Sequence, residues 1–445
     1  MDFLIIYERK QRELENAILL KIELEKRGYT CEVYQYYEGD KYNIFNINAP
    51  KVILVPHLYG SANVYRTFSR FGRSNHIVNL QFEQVLSEKW EKLGHHNPHD
   101  EAKKAIHICW GTKTRDRLAL SGTPKVNLKV VGAPHLDLLR KEFRINSEKK
   151  KQEFANIFNL DRDKKWVLFL SSFTYANISD NRLKMNEAVA QTNLEYFRVI
   201  HTDSRDKILS WFENILKKDT KNIFIYRPHP DELNLDPVLK LEKDYANFRV
   251  ISYSAVKEWI AVSDNIYSWY STSVVEAHFL DKSYSILRPN TLPDSFDSVL
   301  LKHASFITNY KDFEKDYFID DDLRKTAIDD YHINLYYQID NETPAYKKYC
   351  NLLEDIYILE KQKYSLGLQK KIIAKIKSIS VIFVYFLYKK MKINLDRYKE
   401  ETIKKNFFIE WFIEMDNQIV SNTEKINLEN KLKSILSKNN YETKT

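Results

Sequence analysis

The sequence of 445 residues is long for a single hydrophobic core and predicts two or three domains. Apolar residues make up 43% and charged residues 29%, which excludes wholesale disorder. A net charge of +8 suits an anionic substrate or an acidic membrane surface; no nucleic-acid-binding signature accompanies it, and no nucleic-acid partner is expected. Cys31, Cys109 and Cys350 lie far apart without metal-ligand or redox spacing, the pattern of isolated thiols in a reducing compartment. The N-terminus has no basic stretch before its first apolar run, so a signal peptide is not expected and the protein is placed in the cytoplasm.

Along the chain, short apolar runs predict strands at 3–7, 30–36, 52–55, 76–80, 106–110 and 128–131. Between them, periodic stretches predict helices at 13–27, 62–71, 112–121 and 135–143. Eight of the nine glycines fall between Gly28 and Gly132, so this first series is the one rich in glycine turns. Residues 144–165 are strongly charged and mark a boundary. A second series follows, with strands at 166–170, 222–226, 248–252, 265–268 and 284–287 and helices at 206–217, 256–262 and 274–280. Strand–helix alternation of this kind predicts parallel sheets covered on both faces. The expected fold is α/β, two Rossmann-like domains facing across a cleft, with a helical C-terminal extension. The boundaries are 1–145 for the first domain, 146–310 for the second, and 311–445 for the helical region.

Two motifs close strands of the second series. Arg227, Pro228, His229 and Pro230 form a proline-stiffened loop at a strand's carboxyl end, where ligands bind in open α/β sheets. Arg227 can grip a phosphate in bidentate fashion and His229 can donate to one or act as an acid; a plain stiff turn is the competing reading. Ser271, Thr272 and Ser273 begin a helix, where hydroxyls and free N–H groups form an anion site or simply a cap. Glu276, one turn in, can accept from ribose hydroxyls.

The first series offers Glu8, Arg9 and Arg12 directly after its first strand, and Gly60 with Ser61 in a close-approach loop, as residues facing a donor or acceptor. Glu83 follows the fourth strand and is the best-placed general base of that half, with Glu8 second. His95, His96 and His99 share a loop without a supporting ligand set, so no metal is assigned to them. Asp320, Asp321 and Asp322 precede a helix as a cap does. Neither a dinucleotide fingerprint nor a phosphate-binding P-loop is present. The stretch 369–392 has an apolar run too short to span a bilayer, flanked by lysines; it reads either as an interfacial helix at the inner face of the cytoplasmic membrane or as a helix buried across the domains.

These residues give the chain a resemblance to bacterial surface carbohydrate (capsule and O-antigen) biosynthesis proteins. Those are GT-B-like and distantly similar to β-Kdo transferases and CDP-glycerol glycerophosphotransferases. The likeness covers about residues 1–310 and is carried by 7–13, 24–28, 80–84, 107–111, 130–137, 227–230 and 271–276. It implies a glycosyltransferase that needs no metal or cofactor and moves a sugar, Kdo or a relative, from a cytidine-nucleotide donor to a glycan or lipid-linked glycan acceptor. It further implies that His229 and Ser271–Ser273 hold the donor's phosphate, with Glu276 near the nucleoside and the acceptor on the first domain. The stretch 81–84 departs from the more acidic, glycine-containing loop the resemblance calls for. The same motifs also serve a CDP-polyol phosphotransferase, and a non-catalytic binding protein in polysaccharide assembly is the reading from another class.

Overall fold

A computed structural model describes residues 1–143, 147–232, 234–319, 323–391, 412 and 415–442. Asp320, Asp321 and Asp322, the expected cap, lie outside the described residues, as do 144–146 at the expected first boundary. The chain forms two compact units. Unit 1 comprises Met1–Gln84, His96–Leu138 and Leu335–Thr445; unit 2 comprises Val85–His95 and Leu139–Asn334. The C-terminal region is therefore shared: 311–334 belongs to unit 2, and the remainder to unit 1.

Unit 1 is built on strands β1 (Phe3–Tyr7), β2 (Cys31–Gln35), β3 (Val52–Val55), β4 (His76–Asn79), β5 (Ile106–Cys109) and β6 (Leu128–Val130). They pair in the order β2-β1-β3-β4-β5-β6, parallel throughout. Residues of β1, β3, β4 and β5 are buried without exception, as expected for strands covered on both faces, whereas edge strand β2 has exposed positions. Leu4, Ile6, Ile53, Val55 and Ile77 form the core with Val64 and Phe71 of helix α1 (Ser61–Phe71).

Unit 2 repeats the plan with β7 (Trp166–Leu170), β8 (Ile223–Arg227), β9 (Phe248–Val250), β10 (Asn265–Ser268), β11 (Tyr284–Leu287) and β12 (Phe306–Ile307). The order is β12-β11-β10-β7-β8-β9, again parallel. Its core is strongly aromatic: Phe169, Phe212, Phe224, Tyr226, Tyr267, Trp269 and Phe313 are all at most 1% exposed.

Two local expectations gave way to tertiary packing. The charged stretch expected as a boundary contains a helix, Ser147–Phe158, that buries only Phe154 and Ala155. The helix expected over 135–143 is a short turn, Pro134–Asp137, because the buried Asp137 carboxylate accepts from the backbone N–H groups of Ala345 (3.0 Å) and Tyr346 (2.6 Å). It thereby caps the helix Ala345–Tyr357 from outside. The polar tail forms a helix, Asn422–Glu442, as expected of a helical C-terminal region; it is tied to the helix Glu15–Lys26 by Lys21–Glu429 (2.9 Å) and to Glu38 by Lys425 (2.9 Å). Among the described residues, no helix is long and apolar enough to cross a membrane.

Candidate functional sites at the two sheet switch points

In each sheet the chain reverses its direction of build. β1 leads to β2 on one side and β3 on the other; β7 leads to β8 on one side and β10 on the other. Such a reversal leaves a crevice at the strands' carboxyl ends, because the two flanking loops diverge to opposite faces. Each unit presents its candidate residues there.

In unit 2 the register aligns Leu170 with both Arg227 and Ser268, so three strand ends finish level. The Ser171 hydroxyl lies 2.7 Å from the Tyr226 hydroxyl and donates to Glu232 at 2.5 Å; Tyr226 donates to the other oxygen of Glu232 at 2.7 Å. Burial raises the Glu232 carboxyl above the ordinary carboxylate value, against these hydrogen bonds. This buried trio pins the 228–232 loop, whose His229 N–H reaches Glu232 at 3.4 Å. Neither Ser171 nor Glu232 is singled out by the sequence motifs. Ser171 is detectable as the first polar residue after the central apolar strand.

His229 is half-exposed, and its Nδ1 accepts from the Asp231 N–H at 3.1 Å. That bond places the proton of the neutral ring on Nε2, which becomes a donor. Burial also lowers its pKa below the ordinary imidazole value, favouring that neutral form. Arg227 is directed elsewhere. Its guanidinium donates to the Tyr253 carbonyl at 2.8 Å and to the Ser254 carbonyl, bracing the loop after β9, and burial brings its pKa down to about 10. Those two bonds occupy part of a set of five N–H donors.

The Ser271–Ser273 turn follows β10. Ser271 N–H donates to Ser268 Oγ and Ser273 N–H to Ser271 Oγ, both at 3.2 Å. Ser273 makes no side-chain cap bond to the short helix Val274–Phe279, so its hydroxyl is not consumed by capping. Among the described residues, the Thr272 and Ser273 hydroxyls have no protein partner. β8 and β10 flank β7 at about 4.8 Å on either side, so the His229 loop and this turn leave the sheet from the two strands that border the one ending at Ser171.

Glu276 is the most perturbed carboxyl in this region. Burial raises it to about 7 with little compensation. The proton is therefore retained in the folded state between the ordinary value and about pH 7, and stability should fall as pH rises through that window. Glu276→Gln should abolish the effect. At pH 8 the variant should be more stable than the parent by up to about 2 kcal/mol, allowing for partial exposure, and near pH 4 the two should coincide. Urea titrations at both pH values check this; a pH-independent difference would count against it.

In unit 1, Glu8 follows β1 and His57 follows β3, and the Glu8 carboxylate lies 3.4 Å from His57 Nδ1. Burial works to raise Glu8, but the His57 bond and the neighbouring arginines outweigh it and hold the carboxyl below its ordinary value. His57 stacks on Tyr59 (5.6 Å between ring centroids), which stacks on His96 (4.8 Å). His57 is missed by the sequence reading, although Pro-His follows β3 just as it follows β8.

Glu13 organises the loop: it is buried and accepts from the N–H groups of Glu8 (2.7 Å) and Arg9 (3.2 Å) and from Arg12 (2.8 Å). Arg12 bridges onward to Glu83 at 2.7 Å, with His96 at 3.5 Å from the same carboxylate. Burial notwithstanding, the Arg12 bond keeps Glu83 below the ordinary carboxylate value. Arg9 itself is exposed. Gly60 is packed against protein: a Cβ there would stand 2.2 Å from the His99 ring, and Ser61 Oγ accepts from Glu101 N–H at 3.4 Å. The three loop histidines separate, His96 and His99 into unit 1 and His95 into unit 2 on Trp90. Among the described residues, no group of three His, Cys, Asp or Glu side chains is arranged to hold a metal ion.

Two parallel six-stranded α/β units with a helical C-terminal region define a GT-B-like fold. No protein-family model and no curated protein matches the chain in sequence. Solved structures do match. The wall teichoic acid polymerase TagF, in a variant soaked with CDPG, aligns at TM-score 0.50 and 12% identity over 80% of this chain and 89% of that one. MnaA of S. aureus with UDP aligns at 0.49 and 12% identity over 82% and 100%. UDP-GlcNAc 2-epimerase of Neisseria meningitidis, bound to UDP-GlcNAc, aligns at 0.47 and 14% over 80% and 99%. At these identities the likeness is one of fold.

Proposed function

We propose that this chain is a GT-B-type transferase of bacterial surface-glycan assembly that draws on a nucleotide-activated donor in the cytoplasm. The observation that carries the reading is the switch point of the second sheet. There a neutral His229 offers Nε2–H, and the Ser271–Ser273 turn offers the Ser273 hydroxyl, not consumed in capping, on either side of Ser171. These fixed donors suit a diphosphate, and they stabilise the negative charge that grows as the nucleotide leaves. Glu276, in the helix that follows, accepts from the nucleoside's hydroxyls. No resident cofactor takes part in this scheme.

Unit 1 holds the acceptor and takes its proton. Glu83, ion-paired with Arg12 and held below the ordinary carboxylate value, is a weak base near neutrality. Glu8 instead fixes Nδ1 of His57, which leaves Nε2 of that ring to accept from the acceptor hydroxyl. We assign the donor to the cytidine series, CMP- or CDP-linked, with Kdo or a related sugar as the group moved. This follows the sequence resemblance and agrees with the fold shared with TagF, which was soaked with CDPG. A CDP-polyol donor would give a phosphodiester product, and product mass spectrometry separates the two by an added phosphate.

Thermal shift against CMP, CDP, UDP, GDP and ADP tests the reading, because a ligand that binds only the folded state raises apparent stability. One cytidine nucleotide at about 100 times its Kd should stabilise by about 2.7 kcal/mol. His229→Ala should weaken that shift while leaving the unliganded melting point in place, since the ring is half-exposed. No shift with any nucleotide overturns the proposal.

A further inference from the structure

The helix Leu368–Met391 in unit 1 has two faces with different fates. One is anchored: Ser378, Val381, Val384 and Tyr385 are buried, and Ser378 Oγ lies 2.8 Å from Ser69 Oγ. Gly39 packs so closely beneath it that a Cβ there would stand 3.0 Å from the Cα of Ile382 and the Cβ of Tyr385. The other face carries Leu368 (73% exposed), Ile372 (52%), Ile376 (58%), Ile379 (47%), Phe383 (62%) and Phe386 (55%). At ~100° per residue these six fall within an arc of about 80°, so they form one continuous stripe. A solvent-facing helix surface of this kind is ordinarily polar.

Two further observations bear on what covers it. The helix has no acidic residue, and its spacing sets Lys371, Lys375 and Lys389 along one border of the stripe and Lys390 at its C-terminal end. A second apolar projection adjoins it. Phe45 (74% exposed) lies with its ring 6.0 Å from Lys375 Nζ, in a turn that also exposes Ile47 (66%). That turn is closed by Asn43, whose side chain bonds both the carbonyl (2.7 Å) and the N–H (2.8 Å) of Ile47.

We propose that this surface docks unit 1 on an anionic lipid bilayer, the helix lying in the interfacial plane with its stripe among the acyl chains. The lysines at the border and end of the stripe then meet the headgroups, and Phe45 and Ile47 insert beside the helix. An apolar face edged by lysines is the pattern that binds such interfaces. Among the described residues no helix is apolar enough to cross the bilayer, so the contact assigned to this one is peripheral. A second copy of the chain is the weaker occupant, since two stripes laid face to face would set like charges against one another with no carboxylate on either helix.

Co-sedimentation of the full chain with phosphatidylcholine vesicles, with and without about 30% phosphatidylglycerol, tests it. Binding should be at least about tenfold tighter with the anionic lipid and should weaken as salt rises from about 0.1 to 0.5 M. The double variant Ile379→Glu/Phe383→Glu should lose at least about tenfold in binding while keeping the parent's melting point, because both side chains are solvated. Lys371→Glu/Lys375→Glu should remove most of the salt-sensitive part, and Phe45→Glu should weaken binding by a smaller factor. Equal vesicle binding by parent and Ile379→Glu/Phe383→Glu overturns the proposal. So does a parent that ignores vesicles but forms a dimer, by light scattering, that this variant abolishes.

Discussion

Gly111→Ala is expected to destabilise unit 1 by about 3 kcal/mol or more, among the largest effects a single methyl group can have. The backbone at Gly111 is extended, with φ −142°, so any residue could adopt it; the requirement is one of space. A Cβ there would stand 2.3 Å from the Leu335 carbonyl oxygen and 2.4 Å from the Tyr336 carbonyl carbon. Both are backbone atoms, so no rotamer change relieves the overlap, and the segment that brings the chain back to unit 1 must move. Gly132 combines a tight fit with conformation, its φ being +94° and the Gln338 carbonyl oxygen lying 3.2 Å from where its Cβ would stand. Gly28 supplies the control. Its φ is +91° and nothing lies within 4 Å, so Gly28→Ala should cost only the backbone strain, about 1 kcal/mol. Urea midpoints of the two variants check the contrast. Equal midpoints would mean the returning segment yields freely, and that the wedge does not hold the carboxyl edge of the sheet.

That wedge also shows where sequence legibility ends. The strands are readable because parallel strands covered on both faces must be short apolar runs; the two-residue β12 is too short to carry such a signal. The close approach of Gly111 to Leu335 joins distant parts of the chain, and no local pattern encodes it. Helix Ser147–Phe158 looks like a charged boundary since Phe154 and Ala155 are its only buried residues. The strand-end loops are legible as ligand-binding positions, because composition and turn chemistry mark them. What each side chain does there depends on neighbours supplied by other strands. Arg227, a phosphate candidate by type, is taken up by carbonyls after β9, while Glu232, unremarkable in sequence, locks the loop that carries His229. Likewise Glu83 looks free until Arg12, brought across from the segment after β1, meets it.

The same rearrangement of partners yields the sharpest functional prediction. His57→Ala is expected to lower turnover by about 10²–10⁴-fold, the range for loss of a general base. The nucleotide-induced thermal shift should be retained, since the donors proposed for phosphate lie in unit 2. Glu8→Gln keeps a side chain of the same size beside Nδ1 but removes the charge that orients the ring. It should cost a smaller factor, about tenfold, and mainly in kcat. Glu83→Gln separates the alternatives, because it should change turnover by no more than about threefold if its carboxylate serves Arg12 rather than the acceptor. Single-turnover assays on the three variants, with circular dichroism to confirm folding, give the ranking directly. A Glu83→Gln loss matching that of His57→Ala would return the base to Glu83. Parent-like turnover in His57→Ala would remove the Glu8–His57 pair from the chemistry and leave it as a device that holds the first loop against the third strand.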